Sequence, residues 1–307
     1  MQTNHISVLG AGLMGVGIAT HFARFGHPIW LFDTDSNRIA EITAVASSIL
    51  DELIATDQFA ATEKAPVLAR LHGTTSLADI AASGLLIEAI PERLELKHAL
   101  YAQLEAVISP EAIIASNTSG LPPDALAERL AHPERLLIAH FWNPPHFIPL
   151  VEIVPGTATK PEYLSELQQW LVAMQLEAVV LDRAAPGFVG NRLQFALLRE
   201  ALHIVKSGIA SAEVVDQVMR ASLGRRYAMV GPLEAADMTG LATVQDICRH
   251  LLPTLATGSD MMSLVADKVA RGETGLRSGQ GFYHWDDSRK EYIQQRREHQ
   301  LRFALKP

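Results

Sequence analysis

The sequence predicts an α/β fold: a doubly wound, mainly parallel sheet with an inserted helical hairpin, followed by an all-α domain. Three observations carry this expectation. Short apolar runs alternate with helical patterns through the first half, the strand signals stop after Leu181, and the first run leads straight into a glycine-rich turn. Strands alternating with helices imply βαβ units, whose crossovers place helices on both faces of the sheet.

In chain order, the strand candidates are Ile6–Leu9, Ile29–Phe32, Leu85–Ala89, Ala112–Ala115, Leu137–Phe141, Leu150–Val154 and Ala178–Leu181. Between them, apolar spacing at a helical period marks Leu13–Phe25, Arg38–Ala55, Leu94–Val107 and Pro161–Met174. The stretch from Arg38 to Arg70 exceeds one crossover helix, so a helical hairpin is expected there. Ala185-Pro186-Gly187 punctuates the change to the second domain. A strongly apolar helix then runs from Phe188 to Lys206, and Gly208 stops it. Ser211 caps a further helix, and Gly231-Pro232 opens another segment. The expected domains are residues 1–184, 185–285 and a charged tail, 286–307, read as a surface helix.

The chain of 307 residues carries a net charge of -8, which argues against nucleic acid or an anionic membrane as the main partner. No apolar run approaches the roughly 20 residues of a membrane span. A strand signal at Ile6–Leu9 leaves no room for a signal peptide, and the one cysteine, Cys248, suits a reducing compartment. A cytoplasmic protein is expected, with Cys248 in a helical core.

Gly10-Ala11-Gly12-Leu13-Met14-Gly15 has the G-x-G-x-x-G spacing between a strand and a helix, the context that gives this motif its mechanism in a Rossmann fold. Gly10 allows the tight turn, Gly12 the approach of a pyrophosphate, and Gly15 close packing of helix on sheet. Asp33, eighteen residues past Gly15, ends the second strand. A carboxylate there accepts hydrogen bonds from ribose hydroxyls and repels a 2′-phosphate, which favours NAD over NADP.

His140 stands at a strand end, where open α/β sheets bind ligands. Alone, such a histidine is more often structural, and Glu152 within Leu150–Val154 could point to solvent. Together they suit alcohol oxidation. An imidazole can take the hydroxyl proton as hydride leaves, and a carboxylate on its other nitrogen fixes the tautomer and stabilises the imidazolium. His146 follows Pro144-Pro145, but no third ligand accompanies the two histidines and no metal is expected.

At these residues the sequence resembles the L-3-hydroxyacyl-CoA dehydrogenase family, over nearly the whole chain. The matching segments are the glycine fingerprint, Ile87–Glu92, Ser116–Ser119, His140–Asn143, Pro186–Phe188 with Asn191-Arg192, Gly231-Pro232 and Gly279–Tyr283. The resemblance implies that His140 is the catalytic histidine and Glu152 its partner, with Ser119 and Asn191 beside the reacting oxygen and nicotinamide. It also implies cofactor contacts from Glu92, Lys97 and Asn143. Arg277 stands where relatives often carry lysine. The residues themselves leave other roles open, since Glu92 and Lys97 could be an exposed surface pair and Ser119 a helix cap. The resemblance further implies a homodimer formed through the helical domain, and a crystallin-like NAD-binding protein without turnover is the alternative from another class.

Two departures bear on substrate. The resemblance implies a serine and a lysine on the hairpin of CoA-using members, and spacing puts Ile49 and Thr56 there, although Arg38 or Lys64 could substitute. Trp142 before Asn143-Pro144-Pro145-His146 is similar to the branch acting on small carboxylated substrates, which includes the pyridine carboxylate dehydrogenase of vitamin B6 breakdown, while Leu223-Gly224 and Arg226-Tyr227-Ala228 resemble the L-gulonate dehydrogenase and lambda-crystallin branch. Arg225 and Arg226 could grip a substrate carboxylate, or serve only as charges suited to a helix C-terminus. The expected substrate is thus a CoA thioester or a free carboxylic acid.

Overall fold

The computed structural model describes residues 5–303. An eight-stranded sheet has the order β3-β2-β1-β4-β5-β6-β7-β8. Its strands are β1 (Ile6–Leu9), β2 (Ile29–Phe32), β3 (Leu71–Thr74), β4 (Leu85–Glu88), β5 (Ile113–Ser116), β6 (Leu136–Phe141), β7 (Leu150–Pro155) and β8 (Glu177–Val180). All neighbouring pairs are parallel except β6 and β7, which run antiparallel. Alternate side chains serve opposite faces. Val8, Leu31, Ile87 and Leu137 enter one buried cluster, while Leu9, Leu86, Ile114 and Leu136 enter the other.

The helices of this sheet are α1 (Leu13–Arg24), α2 (Ser36–Ala55), α3 (Lys64–Leu68), α4 (Leu94–Glu105), α5 (Pro123–Ala127) and α6 (Pro161–Ala173). The expected hairpin is α2 with the shorter α3, and Asp35 caps α2 by accepting from Asn37 N–H. The edge strand β3 has no counterpart among the expected strands, for Leu71-His72-Gly73-Thr74 carries one large aliphatic side chain. Gly73 is selected by packing, because a Cβ there would lie 2.6 Å from Ile39 Cγ2.

The chain divides into two compact units. Residues to Val189, with the segment from Arg296 on, form the first, and Gly190–Gln295 form the second. The break falls five residues beyond the expected boundary at 184, because the Phe188 turn is tied to β7. The second unit consists of α7 (Gly190–Lys206), α8 (Ala212–Ala221), α9 (Leu223–Arg226), α10 (Pro232–Thr239), α11 (Leu241–Leu251), α12 (Met262–Ala270) and the first part of α13 (Asp287–Phe303). Ser211 caps α8, its hydroxyl accepting from Val214 N–H. Cys248, expected in a core, is half-buried in α11. Among the described residues no helix is long and apolar enough to cross a membrane.

Candidate active site

The glycine turn joins β1 to α1. Gly10 adopts φ 102°, and a Cβ on it would lie 2.7 Å from the Ala89 carbonyl oxygen. A Cβ on Gly15 would collide with the Gly10 carbonyl oxygen. Around Gly12 the space is open, and no side chain caps the helix behind it. The first N–H groups of α1 are therefore available to a diphosphate, with the helix dipole favouring its charge. Leu13, at the first position of α1, is exposed and Met14 half-buried.

Asp33 is buried at the end of β2. Its Oδ2 accepts from Ala11 N–H at 2.9 Å and its Oδ1 from Asp35 N–H at 3.0 Å. The carboxylate is thus fastened to the glycine turn before any ribose arrives. Arg38 Nη1 stands 3.6 Å from Asp33 Oδ2.

The meeting of His140 and Glu152 arises from strand register. In the antiparallel ladder of β6 and β7, His140 lies directly opposite Glu152, so their side chains leave the same face. His140 Nδ1 and Glu152 Oε2 are 2.9 Å apart, and both residues are buried. With Glu152 ionised, Nδ1–H donates and Nε2 remains as the base. The second oxygen of Glu152 accepts from Val189 N–H at 2.9 Å. Sequence reasoning missed that donor, since a backbone N–H has no residue-type signature. It is delivered by a turn in which Gly187 and Phe188 both have positive φ, 76° and 50°. A phenylalanine held there is strained, and it places its ring 5.4 Å from that of His140. Trp142 packs on the same imidazole, with ring centroids 5.7 Å apart.

Ser119 and Asn143 are exposed at the carboxyl ends of β5 and β6, the edge of the sheet that also carries His140. Asn117, which sequence reasoning did not single out, joins two of these strand ends. Its N–H donates to the Glu88 carbonyl at 2.6 Å, and its side-chain oxygen accepts from Phe141 N–H at 2.9 Å. Glu92 Oε1 accepts from the Thr118 hydroxyl and from the N–H groups of Ser119 and Gly120. Ser119 does not cap α5, whose N-cap is Pro122. Lys97 is fully buried, and its ammonium lies 2.7 and 2.8 Å from the two oxygens of buried Glu88. The expected pair of Lys97 and Glu92 at the cofactor is therefore unequal, with Glu92 half-open at the surface and Lys97 in the core. Asn191 lies in the first turn of α7, Arg226 is exposed at the end of α9, and Arg277 is exposed in a short turn before Gly279. These three belong to the helical unit.

Two family models match the chain. One, described as the NAD binding domain of 3-hydroxyacyl-CoA dehydrogenase, covers residues 5–184, and the other, its C-terminal domain, covers 187–285. Among curated relatives, the 5-formyl-3-hydroxy-2-methylpyridine 4-carboxylate 5-dehydrogenase of Mesorhizobium japonicum is 30% identical over 97% of this chain and 96% of its own length. A probable 3-hydroxybutyryl-CoA dehydrogenase of Deinococcus radiodurans is 35% identical over 91% of this chain and 99% of its own. A crystal structure of the pyridine carboxylate enzyme, described as an NAD+ dependent dismutase, superposes with a TM-score of 0.88 at 29% identity. That match covers 98% of this chain and 96% of that one.

Proposed function

The chain belongs to the 3-hydroxyacyl-CoA dehydrogenase family and is an NAD-dependent dehydrogenase, and on that premise we propose that its substrate is a small free carboxylic acid bearing a hydroxyl or aldehyde group. One observation carries the preference over a CoA thioester: the α2–α3 hairpin offers no uncommitted cation. Ile49 and Thr56, at the spacing of the family's CoA contacts, are buried, and the Thr56 hydroxyl donates to the Glu52 carbonyl at 2.9 Å. Lys64 Nζ is bonded to Asp51 at 2.6 Å, and Arg38 lies between Asp33 and Asp35. The name of the Mesorhizobium relative, a formyl pyridine carboxylate dehydrogenase, supports the same class.

In this reading Gly10, Gly12 and Gly15 would hold the diphosphate of NAD, Asp33 a ribose, and Glu92 and Asn143 its nicotinamide end, and the cofactor would supply the hydride acceptor. His140 Nε2 takes the proton of the substrate hydroxyl, or of the hydrate that an aldehyde forms by adding water, and Glu152, fixed by Val189 N–H, stabilises the resulting imidazolium. Ser119 would polarise the reacting oxygen, a role that the family resemblance implies for Asn191 as well. Trp142 walls the site, and Arg226 is the candidate for the substrate carboxylate. The proposed assembly is a homodimer through the helical unit, where Leu197, Ile204, Val214, Val218, Met219 and Leu223 line an open apolar groove of about 270 Å³. The proposed compartment is the cytoplasm, in keeping with the free thiol of Cys248.

Following NADH absorbance with acetoacetyl-CoA and a panel of free hydroxy acids and aldehydes tests the substrate class. A free acid should exceed the thioester in kcat/KM by about ten- to a hundredfold, the worth of one charged contact. Efficient turnover of acetoacetyl-CoA with poor turnover of every free acid overturns the proposal. His140→Ala should abolish turnover of either substrate while NADH still binds.

A further inference from the structure

We infer that Asn117 is a positioning residue that sets the gap between the strand end carrying His140 and the turn carrying Ser119. This rests on the active-site reading of His140 and Ser119 given above. The starting point is that β6 outruns its neighbour. Strand β5 pairs with it only as far as Ser116 opposite Ile138, whereas β6 continues through Ala139, His140 and Phe141. On the other side those three residues stay paired, with Ile153, Glu152 and Val151 of β7. The His140 end of β6 is therefore held by a ladder on one side only.

Phe141 is buried, and a buried N–H without a partner is costly. Its N–H donates to Asn117 Oδ1 at 2.9 Å, so a side chain stands in for the strand that has ended. A peptide N–H needs an acceptor, which fixes the orientation of the amide with its oxygen towards β6. Asn117 is itself anchored. Its own N–H donates to the Glu88 carbonyl at 2.6 Å, one step past the last β4–β5 pair, Glu88 with Ser116. The ends of β4, β5 and β6 thus meet on this one half-buried residue. Ser119 follows it by two positions, and His140 is covalently joined to the Phe141 it holds.

A reacting oxygen has to lie within reach of both His140 Nε2 and the Ser119 hydroxyl, so turnover depends on the gap between them. Folding depends on it far less. The Phe141 ring packs on that of Phe22, with centroids 6.1 Å apart, and the β7 ladder that sets His140 against Glu152 does not involve Asn117. Loss of the Asn117 amide should leave the histidine and its carboxylate together and let them shift as a unit away from Ser119.

Single-turnover kinetics test this, with the enzyme loaded with NADH and mixed with acetoacetyl-CoA or with the aldehydes of the panel above. A folding defect lowers the amplitude of NADH oxidation, whereas a misplaced group lowers its rate constant. Asn117→Ala should reduce the rate constant by about ten- to a hundredfold, the scale of a misplaced catalytic group, with the amplitude retained. Asn117→Asp keeps an acceptor oxygen in place and should recover most of that loss. Amide exchange at residues 139–141 should quicken in Asn117→Ala and stay slow in Asn117→Asp.

An unchanged rate constant in Asn117→Ala, whatever its amplitude, overturns the inference. Equal slowing in Asn117→Asp overturns it too, since the acceptor oxygen would then not be what matters. His140→Ala and Ser119→Ala, run beside them, isolate the underlying reading. Normal single turnover in either variant would remove that residue from the active site, while amide exchange at 139–141 still decides whether Asn117 holds the strand end.

Discussion

Val8, Ile18, Leu31, Ile87, Ile114 and Ile138 of the first unit are all fully buried. In the second unit the buried large apolar residues are Leu202 and Met261 among those described, while Leu233 is 82% exposed, Met238 78% and Ile209 70%. The first unit closes its own core because a sheet covered on both faces leaves little apolar surface outside. The second is a set of amphipathic helices whose apolar faces remain uncovered. Exposed apolar residues in such number suit an interaction surface, so the contrast is between a unit that closes its own core and one that leaves its apolar faces open, the observation behind the proposed dimer.

The strongest way to break this contrast is to charge the uncovered faces. Light scattering at micromolar concentration should give twice the chain mass. Val218→Asp in the α7–α8 groove should shift the protein towards monomer, with burial of an unpaired carboxylate costing about 3 kcal/mol or more. A stable wild-type monomer would end the argument for a second copy.

A comparable effect, confined to the first unit, comes from acid. Burial pushes the His21 pKa down from 6.5 to about 4, and burial does the same to His146, helped by Arg297, Arg24 and His21. The unfolded chain protonates these rings below pH 6.5 and the folded chain only near 4. Their contribution is therefore complete above pH 6.5 and is lost as pH falls through 4, by about 3 kcal/mol for His21. Thermal melts between pH 7.5 and 4 should show this slope, and His21→Phe should flatten it. An unchanged slope would mean that other groups carry the acid sensitivity.

The gentlest comparison deletes one methyl group in each unit. Ile114→Val should cost about 0.5–1.5 kcal/mol in denaturant unfolding, because the cavity lies in a closed core. The same change at half-exposed Ile247 in α11 should cost little as long as that position faces water. A larger penalty at Ile247 would show that a copy of the chain covers it.

The same contrast separates what could be read from the sequence from what could not. Strands β1 and β2 match their expected limits residue for residue, since a strand buried on both faces is written as a mainly apolar run, broken in β1 only by Ser7, whose hydroxyl is bonded to that of Ser83. The edge strand β3 was illegible because Leu71–Thr74 has little to bury. In the site, His140, Glu152, Asp33 and the glycines carried their own signals of type and spacing. Depth carried none. Lys97 looks in sequence like any lysine in the first turns of a helix, and only the fold reveals that Glu88 draws it inward. Val189 was missed for a related reason, because its contribution is a peptide N–H and its side chain is immaterial. Cys248 misled in the opposite direction, for an apolar helical stretch reads as core whether or not anything covers it.

The cross-strand pairing of His140 with Glu152 has a bearing on how such an enzyme can change. Both groups ride on one antiparallel hairpin, and their meeting is fixed by the backbone ladder of β6 and β7. The connection between the strands, from Trp142 to Pro149, includes the cis Asn143–Pro144 bond and none of the ladder. Substitutions in it beyond Trp142 and Asn143 leave untouched the ladder that sets His140 against Glu152. Substrate range can then diversify in that connection without any generation losing its proton chemistry.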